Sequence, residues 1–257
     1  MFPDHTFGKR STLPERRRRL PARDTMTRSV SPPLPARHAA LDALRGLAFL
    51  AMLVYHACWF ADDRGLLTLE FSSLPWRGFQ KLIAGTFFLL VGVGLWLARE
   101  VPLRRSGWRL LRVGGGALIV TTASVVLDPA RIVSFGVLHA IFVTSALGLL
   151  LRSAGARLLI PGLLLLLVGV NYHNARFDHP LLQWTGLGTV IPVTFDHQPF
   201  VVWWGVVLCG LALAARFPVP ELPAPRPLVL LRQHSLFLYL AHVPALQVLM
   251  EVLVRLR

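Results

Sequence analysis

Residues Leu41–His56 read "LDALRGLAFLAMLVYH", and this stretch decides the fold. It is apolar enough to lie in lipid, yet it opens with an aspartate and an arginine and closes with a histidine. Asp42, Arg45, Phe49, Met52 and His56 are spaced three, four, three and four, which puts them on one face of a helix. That stripe is too polar to face lipid, so it faces a protein interior. At 1.5 Å per residue His56 lies roughly 21 Å beyond Asp42 along the axis, which predicts a depth in the outer third of a bilayer.

The rest of the chain agrees with a membrane setting. Of 257 residues, 54% are hydrophobic and 16% charged, and the mean hydropathy is +0.56. Several apolar runs approach the roughly 18 residues that a membrane helix needs. Backbone groups in lipid must bond internally, and runs such as "LLIPGLLLLLVGV" lack the alternation of a barrel strand, so the spans are helices. Seven are expected, near 41–60, 79–98, 109–127, 135–151, 156–172, 200–216 and 228–253, the last interrupted by Pro244. The fold class is an all-α integral membrane protein, a bundle of about seven transmembrane helices over residues 39–257. Residues 1–38 read as a basic, disordered arm.

The formal charge of +14 is carried by that arm, which holds nine Lys or Arg before Leu41, and by short loops. Such placement reports membrane orientation rather than nucleic-acid binding. Loops on one side hold Arg99, Arg104, Arg105, Arg109, Arg112, Arg152, Arg157, Arg216, Arg226 and Arg232. The other side holds Arg64, Arg77, Arg131 and Arg176, with Lys81 at a helix edge, together with Asp62, Asp63, Glu70, Asp128, Asp178 and Asp196; with seven spans Arg255 and Arg257 also fall there, mildly against the rule. This bias predicts a multi-pass membrane protein with its N-terminus on the cytoplasmic side. Met26 offers an alternative start, so translation of residues 1–25 is an open point that an intact mass settles.

Ionisable groups within spans mark a pathway or a site. His139 in the fourth span and His242 in the seventh are expected at the depth of His56, and Ser235, Tyr239 and His242 share a face. His173, His179 and His197 read as solvated loop residues. No ligand pair such as HxxxH occurs, so no metal site is expected. Each feature also has a plain reading. Asp42 and Arg45, at i and i+3, pair with each other; the Arg104–Arg112 cluster is orienting charge; Gly114–Gly116 serves close packing.

Five segments in order carry a resemblance: "RHAALDALRGLAFLAMLVYH" (37–56), "FQKLIAGTFFLLVGVGL" (79–95), "FGVLHAI" (135–141), "FDHQPFVVWWGVVLCGLAL" (195–213) and "QHSLFLYLAHVPAL" (233–246). Together they resemble the heparan-alpha-glucosaminide N-acetyltransferase catalytic-domain family, including its bacterial DUF1624-type members. The resemblance implies a membrane acyltransferase that takes acetyl from cytoplasmic acetyl-CoA, a cosubstrate, and gives it to an amine or hydroxyl of a sugar or glycan on the far side. It marks Asp42, Arg45, Gly46, His56, His139, Asp196, Pro199, Trp203, Ser235, Tyr239, His242 and Pro244. Where bacterial members often carry an aspartate four residues after the first-span histidine, this chain has Phe60, with Asp62 and Asp63 close by.

Chemistry then assigns expected roles. A neutral histidine can take a proton from an acceptor near neutral pH; His56 is the first choice, His242 or His139 the second. Tyr239 would bond the oxyanion, and Arg45, Arg104, Arg109 and Arg112 would hold the CoA phosphates. Asp42, Asp196, Trp203 and Ser235 complete the candidates. Implied partners are the lipid bilayer, the acyl-CoA donor, the acceptor and, as an option, further copies of the chain in a homo-oligomer. The alternative reading is a small proton-coupled transporter that uses the same histidines as a relay.

Overall fold

The computed structural model describes residues 38–219, 225, 227–228, 231 and 234–256. The basic N-terminal arm and most of the segment between Pro220 and Gln233 lie outside the described residues. Seven apolar helices are found among the described residues: α1 (Ala39–Asp63), α2 (Leu74–Leu97), α3 (Leu103–Leu127), α4 (Val137–Leu151), α5 (Leu159–Asn171), α6 (Phe200–Arg216) and α7 (Ser235–Arg255). Five helical runs are long and apolar enough to cross a membrane, with α4 and α5 together forming one of them; α6 is shorter, at 17 residues.

The expected boundaries shift for local reasons. α2 begins at Leu74 rather than near 79, because Pro75 in its first turn presets the helical φ. α3 begins at Leu103 rather than near 109. Its Arg- and Leu-rich start has high helix propensity, so the helix extends beyond its apolar stretch.

α4 and α5 do not form one straight rod. Gly155 between them has φ 55° and ψ −131°, a conformation that glycine adopts without a Cβ clash. Gly148 of α4 packs on Leu95, Gly155 on Trp96 and Ala215, Gly162 of α5 on Cys209, and Gly169 on Val202. The chain therefore reverses at Gly155, and α5 runs back along α6. Similar contacts order the rest. Arg45 of α1 reaches Leu90 of α2, whereas Tyr55 meets Phe79, so α1 and α2 are antiparallel. Phe142 of α4 lies over Gly114 of α3, and His139 meets Thr121. α1 and α7 are parallel, with His56 beside His242 and Arg64 beside Glu251.

α6 is the centre. Trp203, Trp204, Val207, Leu208, Leu211 and Ala212 are buried on it. Phe88 of α2 stacks on Trp203 with ring centroids 4.9 Å apart. A Cβ on Gly92 would strike the Val207 carbonyl, and one on Gly210 would strike the Leu89 carbonyl. Small residues on both helices thus let the backbones approach closely, which is how helices associate where lipid removes the hydrophobic drive.

Because the helices alternate in direction, two ends of the bundle emerge. One end gathers Arg45, Arg99, Arg104, Arg105, Arg109, Arg112, Arg152 and Arg216. The other end carries Asp62, Asp63, Asp128, the 172–199 loop with Asp178 and Asp196, and Glu251, alongside Arg64, Arg131, Arg176 and Arg255. Among the described residues the loop partition read from sequence corresponds to two spatial ends; Arg226 and Arg232 lie outside them.

Candidate functional site

The polar stripe of α1 faces protein. Asp42 is buried at 4% exposure and accepts a 3.0 Å bond from Arg45 Nη1. Arg45 Nη2 donates to the Leu90 carbonyl of α2 at 3.2 Å. This arginine braces α1 against α2 at the arginine-rich end. Arg104, Arg109 and Arg112 lie exposed on the first turns of α3 at that same end.

Higher on the stripe, His56 meets α7. Its Nδ1 lies 3.3 Å from Nε2 of His242, and the ring centroids are 5.0 Å apart. His242 is buried, and its Nδ1 is hydrogen-bonded to the Tyr239 carbonyl one turn back. Around the pair stand the Phe49 edge at 6.3 Å and the Tyr239 ring at 5.3 Å from His242, and Tyr55 at 5.7 Å from His56. Phe49, Met52 and Ile83 form the apolar floor, with Tyr239 packed against it. The i, i+3, i+4 spacing of α1 and the i, i+3 step from Tyr239 to His242 bring these groups together.

His139 joins a second cluster at the head of α4. Its Nε2 is 3.0 Å from Thr121 Oγ1, and its Nδ1 accepts from the Gly136 N–H at 3.3 Å. Thr121 in turn donates to the Val133 carbonyl at 2.8 Å. Asp196 lies over the same helix start: Oδ2 accepts from Val137 N–H at 2.6 Å, and Oδ1 from Gln198 Nε2 at 2.8 Å. Burial raises the Asp196 carboxyl above its ordinary range, against the lowering pull of the Gln198 and Val137 bonds and of nearby His197 and His139.

Trp203 is buried against Phe88, and its Nε1 has no hydrogen-bond partner among the described residues. Ser235, by contrast, is exposed at the first residue of α7, away from the pair. His173 and His179 are exposed as expected. His197 is not: it is half-buried and lines a cavity of about 310 Å³ with Ser134, Phe135, Gln183 and Trp184. Burial lowers its pKa, and Asp196 opposes that. No pattern in the sequence marked Thr121 or Trp184, because their partners lie on other elements. His56 and His242 stand without a third His, Cys or carboxylate grouping suited to a metal among the described residues.

The pair therefore holds two imidazoles from the first and last helices, at the end of the bundle opposite the arginines. The family model for heparan-alpha-glucosaminide N-acetyltransferase, catalytic, matches residues 37–244, from just before α1 to Pro244, and so includes both histidines. No curated protein and no solved structure matches the chain. With a match over more than half its length, this multi-helix membrane chain belongs to the heparan-alpha-glucosaminide N-acetyltransferase catalytic family.

Proposed function

We propose that this chain is a membrane-embedded acetyltransferase that moves an acetyl group from cytoplasmic acetyl-CoA to an amine or hydroxyl of a sugar or glycan on the opposite side of a bacterial inner membrane. In this reading the seven helices are seven crossings and the N-terminus is cytoplasmic. The observation that carries the proposal is the separation of two kinds of site. The exposed cluster Arg104, Arg105, Arg109 and Arg112 lies at one end, and the His56–His242 pair sits toward the other. A nucleotide cannot cross the bilayer, but a pantetheine arm is long and narrow enough to reach between helices.

Arg104, Arg109 and Arg112 are the proposed phosphate holders, since guanidinium groups pair well with phosphate oxygens. Arg45 is already bonded to Asp42 and Leu90, which suits it to bracing the entry between α1 and α2. His56 is the proposed general base, and Tyr239 the donor to the oxyanion. The cavity beside His197 lies at the end from which an outward acceptor would arrive.

The test is thermal unfolding of the detergent-purified protein with acetyl-CoA, with free CoA and a nucleotide as controls, followed by an assay of thioester consumption. A ligand that binds only the folded state raises the midpoint once its concentration exceeds its Kd. No shift at millimolar acetyl-CoA, with the protein folded, overturns the proposal. Solute flux into vesicles without CoA release points to the transporter instead.

A further inference from the structure

The two paired histidines are not chemically equivalent. His242 Nδ1 is bonded to the Tyr239 carbonyl, and a carbonyl oxygen only accepts, so Nδ1 carries the hydrogen. In a neutral imidazole the other nitrogen is then a bare acceptor. That nitrogen, Nε2, faces His56 Nδ1 at 3.3 Å, so His56 Nδ1 is the donor. The hydrogen of His56 is thereby fixed on Nδ1, and its Nε2 is left as the bare nitrogen. That atom has no protein partner among the described residues. Unlike the Trp203 indole nitrogen, it is not sealed in. The arrangement with a charged His242 would bury an imidazolium against Phe49 and the apolar floor, which costs far more than a neutral pair.

We infer that His242 is a positioning residue that locks His56 in the Nδ1–H tautomer, so that Nε2 of His56 is the atom that accepts the acceptor's proton. The inference rests on the acyltransferase reading for its chemistry. In the step, Nε2 takes the hydrogen of the acceptor O–H or N–H while that oxygen or nitrogen bonds to the thioester carbonyl carbon. The tetrahedral oxyanion collapses, the C–S bond breaks, and the leaving thiolate recovers the proton from Nε2. His56 ends neutral, as it began. While it is protonated, its Nδ1–H still points at the bare Nε2 of His242, so the second ring shares the transient charge. His242 is thus the orienting partner of the base, a role that a third group plays in other acyl-transfer sites.

The test has one arm that needs no substrate. Full-length protein labelled with ¹⁵N-histidine in nanodiscs gives nitrogen shifts that separate protonated from bare ring nitrogens, with His56→Gln used to assign the pair. The expected result is His56 with Nδ1 protonated and Nε2 bare; the opposite tautomer overturns the inference. The second arm compares two variants. Gln at 242 can still accept from His56 Nδ1–H, whereas Leu cannot. His242→Gln is expected to keep kcat within about tenfold, and His242→Leu to lose on the order of 100-fold with KM for acetyl-CoA unchanged. Equal kcat in the wild type and His242→Leu overturns the positioning role. If the wild type consumes no thioester, the acyltransferase reading and the base role fall. The ¹⁵N result still decides whether His242 sets the tautomer.

Discussion

His56 and His139 are the same amino acid on two helices of one bundle, yet their surroundings give them opposite tautomers. At His139 the Gly136 N–H points at Nδ1, so Nδ1 accepts and Nε2 donates to Thr121. Both nitrogens are committed, and the ring ties the head of α4 to α3. At His56 Nδ1 is committed, to His242, and Nε2 has no partner among the described residues. The comparison teaches that intramembrane polarity alone does not mark a reactive group. What marks it is an unspent lone pair held in place by a neighbour.

The largest effect that would break the comparison is at the open ring. His56→Ala is expected to leave a folded protein and to lower thioester consumption by on the order of 100-fold or more, as expected for loss of a general base. Normal turnover would remove His56 from the proposed role.

Next comes the committed ring. Thr121→Val leaves His139 Nε2–H and the Val133 carbonyl without their partner, and an unsatisfied buried group costs about 1–3 kcal/mol. The thermal midpoint should fall while kcat changes only a few-fold. A loss of turnover matching that of His56→Ala would show that the two clusters act as one.

A smaller effect concerns the carboxylate beside the second cluster. The folded-state value of Asp196 is raised, so its favourable contribution is present at low pH and is lost as pH rises through that value. Stability of the wild type should therefore contain a component that declines from acid toward neutral pH, and Asp196→Asn should flatten it. Thermal midpoints of both proteins across that window decide the matter, and identical pH profiles would exclude Asp196 as the source.

The smallest expected effect lies in the same loop. Asp178 accepts from the Thr189 hydroxyl and from the N–H groups of Thr189 and Val190. These bonds hold its carboxyl below the ordinary value, the Thr189 hydroxyl first. The contribution is present above the unfolded-state value and lost as pH falls through the folded one. The protection factors of the Thr189 and Val190 amides, taken relative to the intrinsic exchange rate at each pH, should fall on acidification in the wild type and stay constant with pH in Asp178→Asn.

Much of the fold was legible in the sequence, since apolar length and the backbone's need for internal bonds leave helices as the outcome. The α1 stripe was legible too, because helical period alone puts Asp42, Arg45, Phe49, Met52 and His56 on one side. The meeting of His56 with His242 was only half legible. Depth along each helix could be counted, but which helices lie side by side depends on close approaches such as Gly92 on Val207 and Gly210 on Leu89. For the same reason His139 could not be separated from the pair, nor His197 from the solvated loop histidines. The sequence by itself determined a helical membrane chain with polar faces and two ends of different charge. Only the tertiary structure decided that α1 and α7 run side by side, and that one carbonyl of α7 sets which nitrogen of His242 carries its proton. Hydrogen-bond direction is a property of neighbours in space, and no spacing along a single helix contains it.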